Sequence, residues 1–250
     1  MRETFQTEVK SWSKGAAGPV TEIDLAVNAQ LNAHLRGARP DYGWLSEESA
    51  DNEERLARER IFVVDPIDGT SAFIAGKNEF CVALAIVADG APRVSVVYNP
   101  ITEETFEARA DAGAWLNGKA IRVSEQYAVE NSRLIGRPAW FTSPRWPTPW
   151  PQVRAEHRVA LQYRLALVAA GQFDGMLSFG NKADWDVAAG ALIVAEAGGL
   201  VTSPWNDTLV FNQPQALNPG VVAAGPALHP LLIDQVKALP RPGAPRAETA

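Results

Sequence analysis

The order of sequence patterns predicts an α+β first half followed by an α/β second half. Short β-branched runs predominate between residues 61 and 123, whereas helix and strand patterns alternate between residues 159 and 221. This order is typical of domains built from packed layers of helices and sheets. A chain of 250 residues, of which 46% are hydrophobic, is long enough for one large domain or two small ones.

The first half is predicted to open with a helix and to continue as a sheet. Residues 20–35 carry Ile23, Val27, Leu31 and Leu35 on one helical face, so this segment is predicted to be an amphipathic helix. Turn residues separate the apolar runs that follow it. Strands are predicted over residues 61–64, 80–87, 93–98, 106–110 and 121–123, with a loop over residues 113–118.

The second half is predicted to follow an irregular segment rich in Pro and Trp, residues 138–151. We therefore divide the chain into an N-terminal half, residues 1–133, and a C-terminal half, residues 134–240. Residues 241–250 are rich in Pro, Arg and Ala, a composition that predicts a disordered tail. Within the C-terminal half, helices are predicted over residues 159–170 and 186–197, a strand over residues 175–179, and short strands near Leu209 and Val221.

Composition and charge narrow the function classes. A formal net charge of −6 argues against a nucleic-acid polymer as partner, because such proteins usually present a basic face. The charge does not exclude an anionic substrate, since bound magnesium reverses the local sign of an acidic site. One cysteine, Cys81, excludes an internal disulfide framework and fits a reducing compartment. With no leader and no apolar run of membrane-spanning length, the chain is expected to be cytoplasmic.

The strongest chemical signal is the segment DPIDGTSAF, which begins at Asp65. A buried strand is expected to deliver Asp65 at its C-terminal end, Pro66 to end that strand, and Asp68 to cap a following helix. Two carboxylates three residues apart across such a turn can converge on a hard cation, and the N–H groups of Gly69 and Thr70 can hold a phosphate oxygen. A metal site beside an anion site suggests phosphate-ester chemistry, although a single Asp here would be more typical of a helix cap.

Two further segments accompany this one. Glu47 and Glu48 follow a short apolar run, and residues 184–190, DWDVAAG, open a long Ala-rich helix. With these three signatures in this order, the chain resembles the inositol monophosphatase superfamily of magnesium-dependent, lithium-sensitive phosphatases. The resemblance covers about residues 14–229. The signature that begins at Asp65 extends further along the chain, through residues 78–80 (Asn-Glu-Phe) to residues 96–100 (Val-Val-Tyr-Asn-Pro). This extended signature is most similar to the bacterial 3′(2′),5′-bisphosphate nucleotidase branch.

The resemblance implies a layered α-β-α-β-α sugar-phosphatase fold and two or three bound Mg²⁺ ions. The implied metal ligands are the side chains of Glu47, Asp65, Asp68 and Asp186 and the backbone carbonyl of Ile67. The implied substrate-binding groups are Asp68, Gly69, Thr70 and Asp186. The family's Asp–Thr pair, which helps to orient the attacking water, corresponds here to Asp24 and Thr70, and Glu47 is the other candidate base. Without the resemblance, Thr21 is a helix cap and Asp24 a solvated acid in the first helical turn.

Several departures from the family pattern concern the substrate. The family's first helix is expected to be missing or much shortened in the residues before Lys14. Members of the family are often homodimers, and for this chain a homodimer is therefore one of two possibilities. Gly18 and Pro19 favour the nucleotidase branch, whereas Val159 and Ala160 replace the family's Gly-Ser pair near the substrate hydroxyls. Candidates for binding a second phosphate, or else for a solvated face, are Arg158, Arg164 and Lys182.

Three functions therefore stay open. The first is hydrolysis of a small phosphorylated substrate such as adenosine 3′,5′-bisphosphate, which the branch resemblance favours. The second is an inositol, sugar or other polyol monophosphatase, which needs hydroxyl-binding groups without a second cationic site. The third is a non-catalytic paralogue, against which four retained acids argue, since clustered carboxylates are costly to keep unneutralised.

Overall fold

The structure is a computed structural model that describes residues 1, 4–7, 9–15, 18–144, 146–237, 239 and 241. Apart from residue 241, the tail predicted over residues 241–250 lies outside the described residues. The strands are β1 (Ser11–Ser13), β2 (Pro19–Thr21), β3 (Gly43–Ser46), β4 (Arg60–Asp68), β5 (Cys81–Ala88), β6 (Ala91–Asn99), β7 (Glu104–Arg109), β8 (Gly113–Leu116), β9 (Lys119–Ala120), β10 (Arg133–Ile135), β11 (Arg154–Glu156), β12 (Gly175–Ala183), β13 (Leu200–Thr202) and β14 (Leu217–Ala224).

Helices connect and cover these strands. They are α1 (Glu22–Ala38), α2 (Thr70–Ile74), α3 (Pro138–Phe141), α4 (Leu161–Ala169), α5 (Asp184–Glu196) and α6 (His229–Val236), with a 3₁₀ turn at Glu53–Ala57. In the part of the chain that the structure describes, no helix is both long and apolar enough to cross a membrane.

The strands form a seven-stranded sheet, a five-stranded sheet and the β1–β2 hairpin. The seven-stranded sheet runs in the order β3-β4-β5-β6-β7-β8-β9, and its β3–β4 pair is parallel while the other pairs are antiparallel. The five-stranded sheet runs in the order β11-β10-β12-β14-β13, with β10 parallel to both neighbours. The parallel β3–β4 pair matters most for function, because it brings two strand ends to the same edge.

Helices α4 and α5 lie between the two large sheets. Helix α5 packs against strands β4 to β8 on one side and against β12 to β14 on the other. Helix α1 packs against β4 and β2, and α6 packs against β14. This arrangement confirms the layered α-β-α-β-α fold. One hydrophobic core runs through both halves, from Leu45 to Ala223, so the division at residue 133 stays a prediction.

The sequence placed several elements wrongly. Strand β4 does not stop at Pro66 but continues to Asp68, because its pairing with β5 is irregular between Asp65 and Asp68 and the missing N–H of proline is tolerated there. The segment predicted as a loop at residues 113–118 contains β8. Residues 121–123 and the surroundings of Leu209 are not strands.

The three long helices were predicted within two or three residues of their ends. The segment 138–151 opens with the short helix α3 and is otherwise irregular within its described residues. Its aromatic side chains are nevertheless packed: Trp150 lies edge-on to Phe141, with 4.9 Å between ring centroids, and Trp140 lies 4.7 Å from Phe179. This join between the halves is therefore held by an aromatic cluster.

Candidate metal and phosphate site

Four of the acids singled out by the sequence line one cleft of about 150 Å³, here named the carboxylate cleft. Its lining residues are Pro19, Glu47, Asp65, Ile67, Asp68, Gly69, Thr70, Ser71 and Asp186. The sequence did not single out Pro19 and Ser71 as parts of a site, and nothing in their residue types would have done so. Every residue that the family resemblance implied as a metal ligand reaches this cleft.

Strand pairing explains why Glu47 and Asp65 lie side by side. In the parallel β3–β4 pair, Ser46 is in register with Val64, so the two acids follow a matched pair of residues at the same strand end. The N–H of Glu47 also donates to the carbonyl of Val64 at 3.3 Å. A parallel pair thus brings acids from two different segments to one sheet edge.

Asp186 reaches the cleft from the first turn of α5. Its carboxylate accepts a hydrogen bond of 3.0 Å from the N–H of Ala183 and so caps its own helix. The positive end of the α5 dipole therefore faces the cleft, which favours negative charge there.

Crowded, buried carboxylates have raised pKa values. Burial, followed by the charge of Asp68, raises the pKa of Asp65 well above its ordinary value. Burial beside Asp186 raises the pKa of Asp68 to about 7, despite two backbone N–H groups that bond to it. Burial likewise raises the pKa values of Glu47 and Asp186. Burial and the charges of the neighbouring acids thus both disfavour the ionised carboxylates of this cleft.

One atom shows this shortage directly. Oδ1 of Asp65 is buried and has no hydrogen-bond partner in the structure. A buried carboxylate oxygen without a partner is costly unless a cation binds it. Oxygen donors without Cys or His suit Mg²⁺ rather than Zn²⁺. The residues present therefore fit a magnesium site, although no group of three Asp, Glu, His or Cys side chains among the described residues is already arranged as a metal cage.

Lys14 is the cation nearest to the glutamates. Its Nζ lies 2.8 Å from Oε1 of Glu47 and 2.6 Å from Oε1 of Glu48. Although burial lowers it, these contacts raise the pKa of Lys14 above its ordinary value. The ammonium group is thus bonded to Glu47, one of the four cleft acids, and the sequence offered no signal for this contact.

Asp68 caps a helix, but not the helix predicted. The N-cap of α2 is Gly69, whereas the Asp68 carboxylate accepts hydrogen bonds from the first two N–H groups of α4, those of Leu161 and Gln162. The bond from Leu161 measures 3.0 Å. Because the N-cap of α4, Ala160, has no side-chain acceptor, Asp68 supplies that function from 93 residues away.

Gly69 is required by its conformation and by its surroundings. Its φ angle is 91°, in the left-handed region, and an added Cβ would lie 2.9 Å from the carbonyl oxygen of Glu79 and 3.0 Å from Cβ of Ala160. This conformation starts α2 directly beside the cleft, so its first N–H groups lack helical partners and can bind an anion.

The predicted Asp24–Thr70 pair is formed. Oγ1 of Thr70 lies 3.0 Å from Oδ1 of Asp24 and 3.0 Å from the carbonyl oxygen of Ile67. The other oxygen of Asp24 accepts hydrogen bonds from the N–H and the hydroxyl of Thr21, which caps α1 as the sequence suggested. Asp24 is 1% exposed, so it is not the solvated acid of the alternative interpretation.

A second cavity of about 380 Å³ adjoins the carboxylate cleft and shares Asp68 and Asp186 with it. Arg137, Arg164 and Lys182 line this cavity, which we name the basic recess after these three residues. Arg164 is 9% exposed, and its Nε is buried without a hydrogen-bond partner. Burial lowers the pKa values of Arg164 and Lys182, so an anion in the recess would relieve the cost of their charges.

Arg158 lies outside the basic recess, so its part in binding a second phosphate stays a prediction. Its guanidinium lies 2.6 Å from Glu156 and 3.7 Å from Glu79, and it is not among the lining residues of the recess. Arg137 lines the recess instead, stacked 5.9 Å above the ring centroid of Trp140. The sequence carried no signal for Arg137. Other lining residues that sequence reasoning missed are Trp140, His157, Ser178 and Phe179.

The family model described as "Inositol monophosphatase family" matches residues 1–241. Inositol monophosphatase 2 of Solanum lycopersicum is 36% identical over 205 residues, covering 76% of this chain and 77% of the relative. Nus factor SuhB of Pseudomonas aeruginosa is 36% identical over 201 residues, covering 76% and 73%. Among solved structures, that of the Thermotoga maritima inositol monophosphatase matches with a TM-score of 0.80 and 26% identity, covering 94% of this chain and 90% of that chain.

Proposed function

This chain belongs to the inositol monophosphatase family of phosphomonoesterases, and we propose that it hydrolyses a small phosphate ester in a magnesium-dependent reaction. The observation that carries this proposal is the buried, unpartnered oxygen of Asp65 in a cleft shared with three other acids. Such a cleft needs bound cations, and a phosphate ester is a substrate that cations can activate.

Glu47, Asp65, Asp68 and Asp186, with the carbonyl of Ile67, are the groups that would hold two or three Mg²⁺ ions. Bound magnesium would polarise the phosphate and lower the pKa of a water molecule. The proposal includes inhibition by lithium, as the family resemblance implies.

Thr70 and Asp24 would handle the attacking water. With its proton donated to Oδ1 of Asp24, the Thr70 hydroxyl oxygen is free to accept a hydrogen bond from that water and so to orient it. Asp24 is fixed by α1 and by Thr21, which makes the pair rigid. Glu47 is the alternative base, because it lines the same cleft directly after β3.

The phosphate would be held from the other side by the start of α2. The N–H groups of Gly69 and Thr70 lie at the N-terminus of this helix and would donate to phosphate oxygens. Asp68 and Asp186 would contact the phosphate through the metal ions. Together these groups orient the ester so that water and leaving alcohol lie in line.

The basic recess supports a substrate whose alcohol carries a second anionic group, and adenosine 3′,5′-bisphosphate is the member of this class that we favour. A second phosphate placed away from the magnesium ions would need cations of its own, and Arg137, Arg164 and Lys182 are at hand. The rings of Trp140 and Phe179 add an apolar wall that suits a nucleobase better than a polyol. An inositol or sugar monophosphate is the alternative substrate and would leave these cations unpaired.

Phosphate release from a panel of esters tests both levels of the proposal. We expect turnover of adenosine 3′,5′-bisphosphate and of inositol 1-phosphate in magnesium, none in chelator, and a higher kcat/KM for the bisphosphate. Preference for the inositol ester would overturn the nucleotidase assignment alone. No release from any ester in magnesium would identify a non-catalytic paralogue.

A matched pair of variants tests the cleft in the same assay. Asp65→Asn removes a carboxylate of the cleft, whereas Asp234→Asn removes an exposed carboxylate on α6 that pairs with Lys237. The first is expected to abolish turnover and the second to leave it unchanged.

A further inference from the structure

Gln162 lies where α4 meets both strand β4 and helix α5. It is the second residue of α4 and is 1% exposed. Its backbone N–H donates to Oδ2 of Asp68, as described above. One end of this residue is therefore bonded to an acid of the carboxylate cleft.

The Gln162 side chain bonds to α5 instead. Its Nε2 donates to the carbonyl of Trp185 at 2.6 Å, and its Oε1 accepts from the N–H of Gly190 at 2.6 Å. These two backbone groups lie immediately before and one turn after Asp186. The amide thus spans the helical turn that presents Asp186 to the cleft.

The helices are shaped to admit this contact. An added Cβ on Gly190 would lie 2.5 Å from Cβ of Leu165 and 2.9 Å from Oε1 of Gln162, so a residue larger than glycine would push α4 and α5 apart. An amide can donate and accept at the same time, which a methionine or an ionised glutamate cannot do. Residue type, burial and helix spacing all suit the same pair of bonds.

We propose that Gln162 is a positioning residue that fixes Asp186 relative to Asp68 and thereby sets the affinity of the carboxylate cleft for magnesium. The inference rests on the proposed function, because it assumes that both acids bind the metal. Groups that orient metal ligands typically change metal affinity by about 10- to 100-fold when they are lost. If Gln162 served packing alone, its substitution would lower the stability of the protein but would not specifically weaken magnesium binding.

The test is calorimetric titration of the full chain with Mg²⁺, together with the melting temperature of each metal-free variant. Gln162→Met keeps the side-chain volume and removes both side-chain bonds. Leu165→Ala loosens the same helix pair but touches neither acid, and Gln172→Met changes an exposed glutamine just beyond α4. We expect magnesium binding to weaken at least about tenfold in Gln162→Met, and to stay near wild type in both controls even though Leu165→Ala melts at a lower temperature.

A second variant covers failure of the first to fold. Gln162→Ala removes the same two side-chain bonds and leaves a void that a water molecule, bonded to the Trp185 carbonyl and the Gly190 N–H, is expected to fill. Unchanged magnesium affinity in either folded Gln162 variant would overturn the inference, and so would an equal loss of affinity in Leu165→Ala. If the wild-type chain itself bound no magnesium, the proposed function would fail first, a result that the wild-type titration alone reveals.

Discussion

Oγ1 of Thr70 lies 3.0 Å from Oδ1 of Asp24, joining the first turn of α2 to the first turn of α1 at the edge of the carboxylate cleft. The same hydroxyl also lies 3.0 Å from the carbonyl oxygen of Ile67, a proposed metal ligand. A hydroxyl has one proton, so it can donate to only one of these oxygens at a time. If that carbonyl binds magnesium, the proton of Thr70 goes to Asp24, and the hydroxyl oxygen is left to accept from water.

Loss of the Thr70 hydroxyl should therefore impair turnover more than binding. We expect Thr70→Val to lower kcat by about a hundredfold, the usual scale for a positioned proton-handling group, with little change in KM. Thr70→Ser keeps the hydroxyl and is the control, expected to retain most of the activity. Equal activity of the Val and Ser variants in steady-state kinetics would remove Thr70 from the proton path.

The acids of the cleft should make magnesium binding depend on pH. The folded-state pKa of Asp68 is raised to about 7, so between about pH 4 and pH 7 the metal-free folded protein holds a proton that the unfolded chain has lost. This contribution to stability is therefore complete below about pH 4 and is lost as the pH rises through about 7.

Magnesium binds the ionised form, so its affinity should rise over the same interval, and binding at pH 6 should release protons. Calorimetry in buffers with different ionisation enthalpies measures this release directly. A binding enthalpy that is independent of the buffer would show that these acids are already ionised.

The carboxylate of Asp65 is expected to destabilise the metal-free protein and to be required for magnesium binding. Asp65 is 2% exposed and one of its oxygens has no partner. Burial and the neighbouring acids raise its pKa and so oppose its ionisation, and Asp65→Asn, which cannot ionise, is expected to stabilise the metal-free protein at neutral pH. The same change should abolish stabilisation by added Mg²⁺. Thermal melts with and without metal measure both effects, and a variant that melts below wild type in chelator would contradict the account of strain in the cleft.

Gly69 should tolerate no side chain, because of both its backbone conformation and its close packing. A variant of Gly118 separates these two effects. Gly118 also has a positive φ, 75°, but an added Cβ there meets nothing within 4 Å, so Gly118→Ala bears the conformational cost of about 1–2 kcal/mol alone. Gly69→Ala adds contacts with Glu79 and Ala160, so it should destabilise the protein more, as measured by urea unfolding. An equal loss of unfolding free energy in the two variants would show that the residues around Gly69 can move to accommodate a methyl group at no cost.

The basic recess should select the substrate. In the double variant Arg137→Ala, Lys182→Met, the KM for adenosine 3′,5′-bisphosphate should rise by about tenfold to a hundredfold, as expected when charge-assisted bonds of roughly 1.5–3 kcal/mol are lost. The KM for inositol 1-phosphate should stay unchanged. Arg158→Ala, a neighbouring cation outside the recess, is the control, and an equal effect of Arg158→Ala would contradict this placement of the second anion.

Local signals let the sequence predict the cap at Thr21, the strand before Asp65 and the helix that carries Asp186. Contacts between distant segments could not be predicted from the sequence, because they depend on how the layers of helices and sheets pack. Asp68 was expected to cap the nearest helix, but the irregular end of β4 turns its carboxylate towards α4. Arg137 comes from a segment without periodicity, so no pattern linked it to Arg164.

Measured turnover of Asp65→Asn and Asp186→Asn tests the central claim most directly. Phosphate release from adenosine 3′,5′-bisphosphate is compared in saturating Mg²⁺ and in chelator, with Asp234→Asn as the matched control. We predict that wild type and the control lose activity in chelator and regain it with magnesium, whereas each cleft variant stays at least about a hundredfold slower while remaining folded. Full turnover of wild type in chelator, or near-normal rates in both cleft variants, would contradict the account.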